Sequence, residues 1–322
     1  MTNLGSTILL YLLKTIDISQ LWIMNTENLG SLKSANIIQL IDPREQGEGV
    51  GAVVKRTIGT NSLRNLDPFL MLDLFTVRLP SGFADHPHRG FETVTYMLKG
   101  RIGHEDFKGH SGVIGPGDIQ WMTAGRGIIH AEVPESKTED AYGFQLWINL
   151  PKSKKMIEPH YQEYTSNQIP IATVGNSSIK VIAGSLYGCE GIVKPTTAVE
   201  YFDVHLNPGA SLIFKINKGF NSFIYLYEGK GSVNGMAVQA HKAFVFKKSD
   251  EETSVTLSSD SVMKLIWLSG KPLDEPVVQY GPFVMNTMQE IQQAMSDYQY
   301  NRNGFEGASA WESKIQQKMA EN

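Results

Sequence analysis

The chain has 322 residues, 41% of them hydrophobic and 19% charged, with 29 Lys and Arg against 33 Asp and Glu, a formal charge of −4. That length holds one large domain or two of about 150 residues, supports a core that needs no disulfide, and with this apolar content excludes a disordered chain. No basic excess is available to neutralise nucleic-acid phosphates, and the single cysteine, Cys189, forbids an internal disulfide and fits a reducing compartment.

The N-terminal segment carries Ile8–Leu13 and Leu21–Met24, separated by Lys14 and Asp17. Neither run is long enough to span a bilayer, and no signal- or transit-peptide pattern is present. Residues 1–34 read as a poorly ordered extension, with Met24 an alternative start. Gly47-x-Gly49-x-Gly51 has the spacing of a phosphate-binding loop, but strand-like Ala52–Arg56 follows where a helix is required. From residue 50 onward, short stretches rich in Val, Ile, Phe, Tyr and Trp alternate with Gly, Pro, Asn and Asp. They include 51–58, 70–79, 93–98, 112–114, 143–150, 179–183, 201–206, 222–227, 243–246 and 262–268. Short strands at such spacing, with no long helical pattern between them, predict an all-β fold.

Val77–Gly82 resembles Val204–Gly209, and Tyr96–Gly100 resembles Tyr225–Gly229, at offsets of 127 and 129. Two matches at nearly one offset point to two copies of one β-domain, with chance similarity between hairpins as the other reading. The division predicted is an N-terminal barrel over 35–165 and a C-terminal barrel with short helices over 166–322. The helical signals come late. Thr287-Met-Gln-Glu290 has capping-box spacing, followed by a stripe of Met288, Ile291, Met295 and Tyr298. Ser309-Ala-Trp-Glu312 repeats the box ahead of a predicted terminal helix.

The chemistry lies in two segments. In Asp85-His86-Pro87-His88-Arg89-Gly90-Phe91-Glu92, the i, i+2 spacing places both imidazoles on one face of an extended chain. Pro87 removes a ladder donor and predicts an edge strand. In Gly127-Ile128-Ile129-His130-Ala131-Glu132, the same spacing pairs an imidazole with a carboxylate. Between them, Gly115-Pro-Gly-Asp118 reads as a chain-reversing turn. Converging inside a barrel, the pairs would offer three His and one carboxylate to a transition metal. With no second cysteine, the ligands are nitrogen and oxygen.

Several stretches resemble the pirin family of the cupin superfamily: Asp67–Asp73, His86–Tyr96, Gln120–Gly127, Gln145–Asn149, Glu275–Asn286 and Asn303–Glu306. The resemblance implies a bicupin of two facing antiparallel barrels of jelly-roll type, of which only the N-terminal one holds metal. It implies Fe(II) on His86, His88, His130 and Glu132, although ligand type alone leaves other divalent metals open. A generic cupin pattern would nominate Glu92 instead. Glu92 has the parity to face inward if its strand is unbroken, so it is expected beside the metal. The repeat offsets place the C-terminal counterparts of His86 and His88 near Ile213, Lys215 and Asn217, and those of His130 and Glu132 at Ser259 and Ser261. His104 and His110 are expected on a solvent-facing hairpin. His160, His205 and His241 are expected to be structural or on the surface. Arg89 and Arg126 are expected to be salt-bridge partners, with positive charge for an anionic substrate as the other reading.

Two functions follow from the resemblance. One is quercetin 2,3-dioxygenase activity, the oxidative opening of a flavonol ring, with Glu132 a candidate proton acceptor. The other is an iron-dependent, redox-sensing transcriptional co-regulator of nucleus or cytoplasm. It would act through transcription factors or G-protein signalling components, without direct nucleic-acid or membrane contact.

Overall fold

The computed structural model describes residues 29–320. Of the expected extension over residues 1–34, residues 1–28 and the question of Met24 lie outside them, while Lys33 and Ser34 are already paired with Ser254 of the second barrel. Two barrels of like topology are packed together. The chain begins with β1 (Ile37–Ile41), β2 (Arg44–Glu48), β3 (Ala52–Ile58), β4 (Phe69–Val77), β5 (Phe83–His88) and β6 (Phe91–Lys99). It continues with β7 (Ile102–Asp106), β8 (Ser111–Ile114), β9 (Ile119–Thr123), β10 (Ile128–Pro134), β11 (Ala141–Asn149) and β12 (His160–Tyr164). The first barrel pairs a seven-stranded sheet, β12-β9-β6-β11-β4-β3-β2, with a four-stranded sheet, β5-β10-β7-β8. The second barrel repeats this seven-plus-four arrangement with β1 and antiparallel strands between Ile171 and Gly270. The sequence repeat was therefore a true duplication.

The large sheets face each other. Leu72, Leu74, Val94, Trp121, Phe144 and Leu146 of the first barrel share one buried cluster with Tyr201, Phe223, Tyr225, Ile266 and Leu268 of the second. Strands buried on both faces read as continuous apolar runs, as in Phe69–Val77. An Asp at position 73 of such a run, 3% exposed, therefore points to a polar interior on the barrel side.

The chain ends cross between barrels. β1, placed by the sequence in the first barrel, instead pairs with Lys242–Phe246 of the second. The C-terminal segment, placed by the sequence in the second, packs on the first. Phe283, Met285, Ile291, Ala294, Phe305 and Ala308 share a cluster with Ile129 of β10. Within it, α1 (Met288–Gln299) starts at the expected capping box: Glu290 N–H donates to Thr287 Oγ1 (3.2 Å) and Thr287 N–H to Glu290 Oε2 (2.9 Å).

The buried stripe of α1 differs from the expected one. Ile291, Ala294 and Asp297 face inward, while Met288 and Met295 are 55% and 42% exposed. The reason is Asp297, a charged residue drawn into the core by Arg89, which rotates the helix away from its purely apolar pattern. The second capping box does not open a helix either. Residues 308–310 form a single 3-10 turn, and the last helix, α2 (Gln317–Ala320), starts five residues beyond Glu312.

The second barrel's interior also departs from the expected register. His130 faces His86 across β10 and β5; in the duplicate, Val255 faces Phe214. The offset thus falls from 128 to 125, and the counterparts are Phe214, Ile216, Val255 and Leu257 rather than Ile213, Lys215, Asn217, Ser259 and Ser261. All four lie in one apolar cluster, where Phe214 stacks on Trp267 at 5.0 Å. Loops shortened between strands shift a mapping made at a fixed offset.

Candidate metal centre

β5 lies at the edge of the small sheet, as Pro87 required. Its His86 and His88 project to one side, with rings 4.7 Å apart, and β10 brings His130 against both at 4.5 and 5.0 Å. One nitrogen from each of the three imidazoles falls within 4.8 Å of the others. His86 Nε2 and His130 Nε2 are 3.1 Å apart. His86 Nδ1 lies 2.8 Å from Ala84 O, so it donates there and leaves Nε2 as a lone pair for an ion. His88 is 2% exposed, held between Phe91 (5.1 Å) and Trp147 (5.3 Å), and neither of its ring nitrogens has a hydrogen-bond partner. His130 Nδ1 is also without one.

Burial first, and then the neighbouring rings, hold His88 and His130 well below the usual imidazole range, so both are neutral. Buried, neutral, unpartnered nitrogens converging on one point are a donor set that fits a divalent metal.

Glu132 does not join that trio. A register irregularity between His130 and Glu132 displaces it along the strand, so it faces Phe83. Its carboxylate, 5% exposed, accepts from Thr95 Oγ1 (2.9 Å) and Gln145 Nε2 (3.4 Å). These belong to a row that sequence reasoning missed, because its members come from strands distant in the chain. Arg56, Asp73, Gln145, Thr95, Gln120 and Glu163 lie side by side across β3, β4, β11, β6, β9 and β12. Arg56 Nη2 donates to Asp73 Oδ2 at 2.6 Å, and Thr95 Oγ1, whose one proton is shared with Glu132, lies 2.7 Å from Gln145 Oε1. Lone polar residues at inward positions of apolar strands were the readable signal.

Between the row and the imidazoles lies a cavity of about 780 Å³, lined by His86, His88, Glu132, Gln145 and Trp147 and reached past exposed Arg64.

Glu92 is not beside this site. Gly90, at φ +89°, breaks the chain between β5 and β6, which belong to different sheets. A Cβ there would collide with the Val284 carbonyl. Glu92 consequently lies between the barrels, fully buried, accepting from Thr123 Oγ1 at 2.8 Å; burial pushes its carboxyl up.

Arg89 and Arg126 are structural, each tied to the C-terminal segment. Arg89, 1% exposed, donates to Asp297 Oδ2 (2.8 Å), Arg126 O (2.6 Å) and Asn303 O (2.7 Å); Arg126 pairs with Glu158 and Glu306. His160 is exposed, and His205 is bonded to Asp203 and Tyr227. His104 is not solvent-facing: it is 3% exposed and lies against Glu163. No described helix is long and apolar enough to cross a membrane.

Comparison with known proteins gives a consistent result. The Pirin family model matches residues 51–148 and the Pirin C-terminal cupin domain model matches 201–304. "Pirin-like protein 2" of Arabidopsis thaliana is 46% identical over 298 residues, 90% of this chain and 92% of that protein. "Pirin" of Homo sapiens is 47% identical over 292 residues, 89% of this chain and 99% of that protein. Among solved structures, a quercetin 2,3-dioxygenase from Acinetobacter baumannii superposes with a TM-score of 0.78 at 30% identity. It covers 84% of this chain and 99% of its own.

Proposed function

The chain belongs to the pirin family of cupins, and on that premise we propose that it is an Fe(II)-dependent dioxygenase of the quercetin 2,3-dioxygenase type. The observation that carries this reading is the set of three converging imidazoles, those of His88 and His130 buried with unpartnered nitrogens, beside a cavity of about 780 Å³. That volume suits a flat polyphenol, within the roughly 300–1,000 Å³ typical of small-molecule sites. A related solved structure of 30% identity is itself named a quercetin 2,3-dioxygenase.

His86, His88 and His130 would hold the ion, with Glu132 a fourth ligand only if its carboxylate turns away from Thr95 and Gln145. One ion per chain is proposed, in the N-terminal barrel, because the equivalent C-terminal positions offer only Phe214, Ile216, Val255 and Leu257. Bound Fe(II) would supply Lewis acidity and redox chemistry toward dioxygen.

The protein's own groups do the rest. His86 is oriented by the Ala84 carbonyl, and Phe91 and Trp147 fix His88 and keep water from it. Thr95 and Gln145 aim the Glu132 carboxylate into the cavity, where it accepts the proton of the flavonol 3-hydroxyl. Leu70, Met71 and Phe75 line the walls against which an aromatic ring system stacks.

Iron-loaded protein supplied with quercetin is expected to consume oxygen and release carbon monoxide well above the rate of free iron. Glu132→Gln should keep a substantial share of the metal and lose turnover. Oxygen uptake no faster than free iron would overturn the enzymatic reading in favour of a regulatory one, and full activity in Glu132→Gln would remove that residue's role as base.

A further inference from the structure

A second group of donor atoms lies next along the same barrel interior, where His104 faces Glu132 across β7 and β10. His104 of β7, His110 from the turn before β8, and Glu163 of β12 each offer one atom, all within 4.8 Å of one another. We infer that these three residues form a second divalent transition-metal site, distinct from the His86–His88–His130 centre.

The fold assembles the group with care. The chain reverses between β7 and β8 through a turn in which Asp106 N–H donates to His110 O (2.9 Å). Asp106 Oδ1 accepts from the amides of Lys108 (2.8 Å) and His110 (2.9 Å). This turn folds His110 back over His104, with the rings stacked at 5.1 Å and 25°, and Tyr161 lies over His110 at 4.0 Å.

Glu163 closes the set from the facing sheet. Its Oε2 lies 3.1 Å from His110 Nε2 and its Oε1 2.6 Å from His104 Nε2. His104 is 3% exposed, so its short approach to Glu163 is a buried imidazole–carboxylate contact, and with His110 it brings three ligand atoms to one point where a divalent ion can take the place of a shared proton. Gln120 Nε2 donates to Glu163 Oε1 at 2.7 Å and orients it, as outer-shell groups do for metal-bound carboxylates.

Gly112 supplies the space. It sits opposite His104 in the β7–β8 ladder. A Cβ built on it would stand 2.7 Å from His104 Nε2, inside contact distance. Its φ is not in the left-handed region, so glycine is needed here for the imidazole and not for the backbone.

Two imidazoles and a carboxylate are borderline-soft donors that favour zinc, nickel, cobalt, copper or iron over magnesium or calcium. β8 is the free edge of the small sheet and β12 the free edge of the large one. An ion on His104, His110 and Glu163 would therefore join the two sheets across the barrel's open seam.

The test uses the full chain, stripped of metal, reloaded with zinc, desalted, and analysed for zinc per chain. Wild type is expected to hold two equivalents, His86→Ala/His88→Ala one, and Glu163→Gln or His110→Ala one. Gly112→Ala, with all ligands intact, should weaken the second equivalent by about 10–100-fold, the usual cost of disturbing a ligand's support. In the His86→Ala/His88→Ala background, zinc should raise the thermal midpoint, and adding Glu163→Gln should abolish that rise.

One equivalent in wild type that His86→Ala/His88→Ala removes would overturn the second site and leave the first intact. Two equivalents persisting in both Glu163→Gln and His110→Ala would also overturn it. Each variant's retention of the other equivalent reports that it is folded.

Discussion

Arg89→Met tests what holds the metal strand to the C-terminal segment. Met keeps most of the length of Arg and discards its charge and donors. Three acceptors lose their partner: buried Asp297 Oδ2 and the part-buried carbonyls of Arg126 and Asn303. Stranding a buried acceptor costs about 1–3 kcal/mol, and leaving a buried charge unpaired costs about 3–5 kcal/mol. Asp297 is not left wholly alone, because Oδ1 still accepts from Gln293 Nε2 (2.7 Å), Asn303 Nδ2 (2.9 Å) and Arg302 Nε (3.1 Å). The loss should therefore fall near the lower end, about 3–4 kcal/mol, with part of it from contact with Phe305, over whose ring the guanidinium lies at 4.7 Å. Urea unfolding read by tryptophan fluorescence measures it, with an unchanged m-value as the check that the transition is the same one. Adding Asp297→Asn should return about 1–2 kcal/mol, since the acceptor left behind is then uncharged. A loss below about 1 kcal/mol for Arg89→Met would refute the reasoning. So would Asp297→Asn costing as much in the Arg89→Met background as in wild type.

Other expectations follow from the same structure. Thr95→Val removes the donor that holds Glu132 Oε1 and should lower turnover by about 10–100-fold with little change in stability, measured by steady-state oxygen uptake and urea unfolding. Burial raises Glu200 to about 7, so the folded state keeps its proton between pH 4.5 and 7 while the unfolded state has lost it. Stability from this group is present in acid and lost as pH rises through 7. Glu200→Gln should accordingly gain roughly 1–2 kcal/mol at pH 8, after discounting for partial exposure, and nothing near pH 4.5. His88 and His130 are pushed down by burial, so their contribution is present above the unfolded value of 6.5 and is lost as pH falls below it. Metal-free protein should lose stability below pH 6.5, and His130→Gln should flatten that slope in a series of pH-dependent melts.

How much of this was legible depended on how far apart in sequence the cooperating residues lie. His86 and His88 were readable because two residues on one strand must share a face, and β5 keeps that geometry. Glu92 was misplaced by the same rule, because Gly90 ends the strand and moves the chain to the other sheet. The row from Arg56 to Glu163 has no local pattern at all; it exists only once six strands are set in register. His104 looked like a hairpin residue because its partner, Glu163, comes 59 positions later from a facing sheet. On α1, a hydrophobic stripe was the wrong guide because the buried face carries Asp297, whose partner is 208 positions away.

The crossing of the chain ends bears on how the protein is made. Val284 N–H donates to Arg89 O at 3.0 Å, and Pro282 lines the cavity beside His88, so the wall of the first barrel's site is built from residues translated after the second barrel. Conversely, β1 leaves the ribosome more than 200 residues ahead of its partner, Lys242–Phe246. Neither half is complete when its own strands have been translated. A nascent first barrel would present His88, Phe91 and Trp147 uncovered until the segment around Pro282 and Val284 has followed the second barrel out of the ribosome. It also means that removing β1 damages the second barrel and removing residues 283–308 damages the first.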